Sequence, residues 1–196
     1  YDADGNLKGL LIEEQRSNVL SSSNFFGATN NVSVNTNALT APDGTVSANE
    51  LVENTVNSQH NTAHTYTQTG ALTHSVFAKQ GSGTRYLRMI DYNATDGGQG
   101  ETYFNLRTGV VESGTGNIVS VGNGWYRCSI SATTTATSNR YISLGNSVGS
   151  YAYTGDGSSS IYIWGAQTET GSFPTSYIPT INTTVTRNAD VATIST

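Results

Sequence analysis

The run Trp125-Tyr126-Arg127 joins a flat apolar ring to a planar donor of hydrogen bonds. Such a pairing suits a sugar, whose C–H face stacks on aromatic rings while its hydroxyls need hydrogen-bonding partners. Strand alternation turns Tyr126, Cys128 and Ile130 one way and Trp125 and Arg127 the other. In a strand over 72–79 it turns His74, Val76 and Ala78 inward and Phe77 outward. In a strand over 86–92 it turns Leu87 and Met89 inward and Tyr86, Arg88, Ile90 and Tyr92 outward. Phe77, Arg88, Trp125 and Arg127 are thus the candidate platform, the rings stacking and the guanidinium groups orienting. The competing reading is that the rings cover a sheet edge or loop and the arginines pair with Glu101 or Glu112. Tyr162 and Trp164 share a strand face; Trp164 is either a further stacking residue or core, since aromatic residues dominate sandwich cores.

Other constellations point elsewhere more weakly. Asp2, Asp4, Asn6 and Glu13 have the spacing of calcium-loop positions, but Leu7 stands where that loop needs glycine, and an Asp-Gly turn before a strand explains the same residues. His60 and His64 have the spacing of helical zinc ligands within a stretch of Asn, Thr and Ser that gives no helix. Glycoside hydrolysis requires two carboxyl groups about 5 to 10 Å apart with one kept protonated. No acidic pair in the sequence is singled out by pattern, and the adjacent Glu13 and Glu14 diverge on a strand. A Gly-x-Ser-x-Gly elbow, a phosphate loop and a dinucleotide glycine fingerprint are all absent from the sequence. Cys128, the sole cysteine, faces inward as a structural thiol rather than a nucleophile. These features lead to the expectation of no enzymatic activity and no cofactor, with calcium the one metal in view.

The elements that position these residues are strands. Only 12% of the 196 residues are charged, against about 25% in an average domain, and Ser, Thr, Asn and Gly supply the polar surface. Few Lys and Glu, many Thr and Gly, and eleven Tyr disfavour helix and favour strands and turns. A net charge of −5 with nine scattered basic residues excludes a nucleic-acid footprint, and no apolar run is long enough to cross a membrane as a helix. Further strands fall over 7–12, 102–106, 125–131, 140–144 and 161–166, with turns at 42–44, 96–100, 122–124 and 155–157. The run Leu10-Leu11-Ile12 suggests burial on both faces, and Phe25 and Phe26 stand in a polar looped stretch. The expected fold is all-β, a two-sheet antiparallel β-sandwich of jelly-roll topology. A lead-in occupies 1–8, the sandwich 9–171, and an extended connector leaving the domain 172–196.

Several phrases resemble a module of bacteriophage tail and head fibres. They are Gly9-Leu-Leu-Ile-Glu-Glu-Gln-Arg-Ser-Asn18, Thr73-His-Ser-Val-Phe-Ala-Lys79, Gly122-Asn-Gly-Trp-Tyr-Arg127, Tyr153-Thr-Gly-Asp-Gly157, Ile161-Tyr-Ile-Trp-Gly-Ala-Gln167 and Gly171-Ser-Phe-Pro-Thr-Ser-Tyr-Ile-Pro-Thr180. The strand order and the Gly-Trp-Tyr-Arg phrase also resemble jelly-roll carbohydrate-binding modules appended to polysaccharide-degrading enzymes. The resemblance implies a virion location, or otherwise a secreted one. It implies a glycan or polysaccharide as partner, neighbouring fibre domains, and a homotrimer as the assembly, with no nucleic acid and no membrane. It implies a non-catalytic, lectin-like role in receptor binding and host adhesion, with a structural spacer or an enzyme-appended binding module as the alternatives. Many enzyme-linked modules hold calcium with a carboxylate pair in the last strand; Trp164 and Gly165 occupy that place here.

Overall fold

Alternation of apolar with small polar residues is realised as fifteen strands and no helix among residues 11–24 and 27–192, the part of the chain that the computed structural model describes. The expected calcium ligands Asp2, Asp4 and Asn6, residues 7–10 of the expected first strand, and the pair Phe25 and Phe26 lie outside the described residues. In chain order the strands are β1 (Arg16–Asn18), β2 (Ala28–Asn30), β3 (Val32–Thr40), β4 (Val46–Glu53), β5 (Asn57–Tyr66), β6 (Gly70–Gln80), β7 (Tyr86–Asn93) and β8 (Gly97–Asn105). They continue with β9 (Val110–Ser113), β10 (Asn117–Gly122), β11 (Trp125–Thr134), β12 (Ser138–Gly145), β13 (Ala152–Thr154), β14 (Ser160–Thr170) and β15 (Val185–Arg187).

Two antiparallel sheets face each other. One runs β10-β11-β6-β14-β4-β3; the other runs β13-β5-β12-β7-β8-β9, with β2 also paired to β5. Within them, β11-β6-β14-β4 opposes β5-β12-β7-β8, which is the double Greek-key wiring of a jelly roll. The core lies between them: Leu51, Val76, Ala78, Cys128, Ile130, Ile161 and Ile163 from the first sheet meet Leu87, Met89, Phe104, Ile142 and Leu144 from the second. Removing these side chains from water supplies the main driving force for closing the sandwich.

The ends depart from expectation. Leu11 and Ile12 are exposed and belong to no strand, so the anticipated burial on both faces does not occur in the described part of 7–12. The 172–180 stretch does not leave the sandwich but returns across the outer face of the six-stranded sheet. Its backbone finds buried acceptors there: Glu169 accepts from the Thr175 N–H at 2.7 Å, Gln167 Oε1 from the Ile178 N–H at 2.7 Å, and Ser23 Oγ from the Thr180 N–H at 2.8 Å. Beyond it, β15 pairs with β1, so the two segments run side by side.

A polar chain crosses one end of the core. Tyr66 donates to the Asp91 carboxylate, His74 Nε2 lies 3.4 Å from Asp91 Oδ2, and His74 Nδ1 lies 2.9 Å from Thr168 Oγ1. Burial holds the His74 imidazole below its ordinary pKa, the neighbouring Asp91 opposing that shift only in part. The unfolded chain therefore takes up a proton near pH 6.5 that the folded chain refuses. Stability is full above that pH and is lost as pH falls through it. Denaturant midpoints measured between about pH 7.5 and 5.5 are expected to drop toward acid, and His74→Gln to flatten that slope.

Candidate functional site

The outer face of the six-stranded sheet gathers Phe77 and Trp125, as alternation required, together with Trp164, but seals them. They form a second cluster with Ala41 and Ala48, packed against Leu39, Tyr162 and Tyr177. Trp125 is 3% exposed, Trp164 5% and Phe77 8%. The Trp125 indole N–H donates to the Thr40 carbonyl at 3.2 Å and the Trp164 indole N–H to Ser47 Oγ at 3.0 Å. Tyr177, carried in by the returning 172–180 stretch, lies 4.6 Å from the Trp164 ring and 6.0 Å from Phe77. At Gly165, whose φ is +60° in the β14 bulge, a Cβ would stand 3.0 Å from Phe77 and 3.2 Å from Tyr177; the absent side chain is what lets the rings close over this strand. Arg127 is half-buried, donates to Ser75 Oγ at 3.1 Å and lies over the Phe77 ring. Desolvation lowers its pKa.

The expected platform is therefore divided. Arg88 belongs to β7 in the other sheet and points away from Phe77, Trp125 and Arg127, so the four residues do not share one surface. The two stacking candidates have no open face because the β3–β4 turn and the returning segment cover them. Tyr162 is half-buried against the same layer.

An open aromatic surface lies on the opposite side of the molecule. Across the outer face of the seven-stranded sheet, cross-strand register places Thr65, Asn139, Tyr92 and Gly98 in one row, Ala63, Tyr141 and Ile90 in the next, and Asn61, Ser143, Arg88 and Tyr103 in a third. A cavity of about 460 Å³ is lined by Gln59, Arg88, Ile90, Tyr92, Gly98, Glu101, Tyr141 and Tyr151. A second, of about 390 Å³, shares Gln59 and Tyr141 and extends over Asn61, Asn139 and β2. Together they make a groove running across the strands. Tyr92 is 46% exposed and Tyr151 38%, with Tyr141 half-buried between. The Arg88 Nε donates to Glu101 at 2.6 Å while its guanidinium lies 4.2 Å from the Tyr151 ring centroid, which fixes the tyrosine at the groove wall. Beneath them Tyr103 is buried, and that burial raises its phenol pKa.

Gly98 keeps the floor of this groove clear. It is exposed, and a Cβ there would stand 2.8 Å from the flexible end of Ile90 and 3.9 Å from the Tyr92 ring. Replacing Gly98 with isoleucine is expected to fill the groove and weaken ligand binding about tenfold, with the thermal midpoint little changed; glycan affinity and melting curves on the same preparation check both.

Of the sequence-derived candidates, Arg88 alone reaches this groove. Tyr92, Tyr141, Tyr151 and Gln59 were not among the candidates, although the alternation that turned Arg88 outward turned Tyr92 with it; Glu101 was expected only as an arginine partner, and it pairs with Arg88 as that competing reading had it. His60 and His64 both point inward on β5, about 13 Å apart on an extended strand. The His60 nitrogens lie 2.9 Å and 3.2 Å from the Asn31 and Tyr153 carbonyl oxygens. Glu13, the described member of the calcium set, has its carboxylate engaged by the Ser176 N–H and by Arg187. Among the described residues no group of three or more His, Cys, Asp or Glu side chains is arranged to hold a metal ion. Cys128 is buried, which raises its thiol pKa. Among the described residues no helix is long and apolar enough to cross a membrane.

No family model matches the chain, and no curated protein matches it. Among solved structures, the enzymatically active domain of bacteriophage CBA120 tailspike protein 4 is similar at 15% identity and a TM-score of 0.42, over 76% of this chain. The chain spans 21% of that neighbour's length. That neighbour is an enzymatically active domain, and the sequence-based expectation that this chain is not an enzyme does not stand against it.

Proposed function

We propose that this chain is a glycan-contacting module of a phage fibre that holds a sugar chain along the outer face of its seven-stranded sheet. The carrying observation is the groove in which Tyr92, Tyr141 and Tyr151 stand beside Gln59, Arg88 and Glu101. Rings supply faces for pyranose C–H groups, and the amide and carboxylate groups supply partners for hydroxyls. Placement on a fibre of the virion rests on the phrases between Gly9 and Thr180 that resemble phage fibre modules. On a fibre carrying several copies, a homotrimer for instance, weak single-site binding would gain through effective concentration. Arg88 acts here by locking Glu101 and Tyr151 in place.

The test is a glycan array probed with wild type and with Tyr92→Ala/Tyr151→Ala, and bound oligosaccharides are analysed for shortened products so that turnover is read in the same experiment. Each exposed ring contributes about 1 kcal/mol through stacking, so the double variant is expected to bind about tenfold to a hundredfold more weakly while melting within a few degrees of wild type. Retention of full binding by the double variant would place the site elsewhere. The sealed Trp125–Trp164 layer favours a second reading, a fibre module serving as a structural unit; wild type that binds no glycan on the array is the outcome that selects it.

A further inference from the structure

The charge of the groove restricts what it can hold. Of the side chains lining its two connected cavities, only Arg88 and Glu101 are charged, and they neutralise one another through the 2.6 Å contact. Arg88 has only 7% of its side chain exposed, with its guanidinium also committed to the Tyr151 ring, so it offers no free cation to an incoming anion. Glu101, by contrast, has 43% of its side chain exposed and would repel a ligand carboxylate or sulfate. The chain's net charge of −5 adds a long-range penalty of the same sign.

The remaining polar lining is amide and hydroxyl. Asn61 Nδ2 donates to Gln59 Oε1 and Thr65 Oγ1 donates to Asn139 Oδ1, leaving Gln59 Nε2, Asn61 Oδ1 and Asn139 Nδ2 without a hydrogen-bond partner among the described residues. That set offers both donors and an acceptor, which hydroxyl groups use in full. A carboxylate or sulfate only accepts, so it would strand the Asn61 carbonyl oxygen. The lining spans β2, β5, β12, β7 and β8, which at the usual strand spacing is about 19 Å across, long enough for a run of several sugar rings.

We propose that the groove selects an uncharged polysaccharide stretch of several neutral pyranose units and discriminates against uronate-bearing, sulfated and sialylated chains. This selectivity rests on the glycan reading of the groove given above. The experiment measures affinity for neutral glucans, mannans, galactans and xylans beside alginate, polygalacturonate, hyaluronate, and sulfated and sialylated glycans, using wild type and Tyr92→Ala/Tyr151→Ala. At least one neutral chain is expected to bind, every acidic chain to bind at least about tenfold more weakly, and the neutral affinity to stay level between about 0.05 and 0.5 M salt. Tight binding of an acidic chain that is lost in the double tyrosine variant would overturn the selectivity while leaving the groove in place. Binding unaffected by the tyrosines, or no binding of any chain, would overturn the groove itself.

Discussion

Truncating Trp125 to alanine is expected to destabilise the protein by about 3–5 kcal/mol, lowering the melting temperature by about 10 °C, while leaving glycan affinity of the folded fraction within about twofold of wild type. The indole is sealed between Ala41, Ala48, Phe77 and Trp164, and its N–H is held by the Thr40 carbonyl. Its removal opens a cavity in a layer that the β3–β4 turn and the returning 172–180 stretch roof over, and neither roof can collapse far because each is fixed by its own hydrogen bonds. Chemical denaturation paired with glycan titration separates the two effects. Loss of glycan binding at unchanged stability would mean that the six-stranded face opens in solution and carries the site.

A second large effect is expected at Glu53. This carboxylate is buried at the end of β4, where Oε1 accepts from Arg85 Nη2 at 2.6 Å and from the Asp156 N–H at 2.8 Å, and Oε2 accepts from Arg85 Nε at 2.8 Å and from the Tyr153 hydroxyl at 2.6 Å. The Arg85 guanidinium in turn covers the Tyr153 ring at 4.9 Å. Glu53 thereby ties β4 of one sheet to the lead-in of β7 and to β13 of the other. Glu53→Ala removes two hydrogen bonds from a largely buried guanidinium, leaving it Asn146 Oδ1 at 2.7 Å and Asp156 at 3.2 Å, and takes the carboxylate acceptor from a phenol pushed above its ordinary pKa chiefly by burial, with the bond to Glu53 reinforcing the shift. Breaking such a pair from one side costs about 3–5 kcal/mol. Equilibrium urea unfolding measures it; a loss below about 1 kcal/mol would show that the cluster behaves like a surface ion pair. Glu53→Gln, which keeps the volume, is expected to recover part of the loss.

Strand alternation made much of this architecture legible. The β6, β7, β11, β12 and β14 strands were readable because each alternates clear core residues with outward ones, and the inward set from His74 to Ile130 follows from that pattern alone. Alternation, however, reports only which way a side chain turns from its own sheet. Here the consecutive strands β6 and β7 enter opposite sheets, so Phe77 on β6 and Arg88 on β7, both outward, face away from each other. The β5 strand was hidden because its outward residues Gln59, Asn61 and Thr65 are groove-lining and its inward ones include His60, Thr62 and His64, leaving no apolar period. Tyr151 lies outside the strands, and the Arg88 contact that places it is visible only in three dimensions. The 172–196 stretch read as a connector because its Pro and Thr residues carry no alternation; the hold on its 172–180 part comes from Glu169, Gln167 and Ser23, acceptors remote from it in pattern.

The most direct measurement is backbone amide NMR during titration with a neutral oligosaccharide bound in the array. Shift changes are expected to cluster at Gln59, Asn61, Tyr92, Gly98, Tyr141 and Tyr151, with Phe77, Trp125 and Trp164 undisturbed. A cluster centred on Trp125 and Lys79 instead would contradict the account and move the sugar to the six-stranded face.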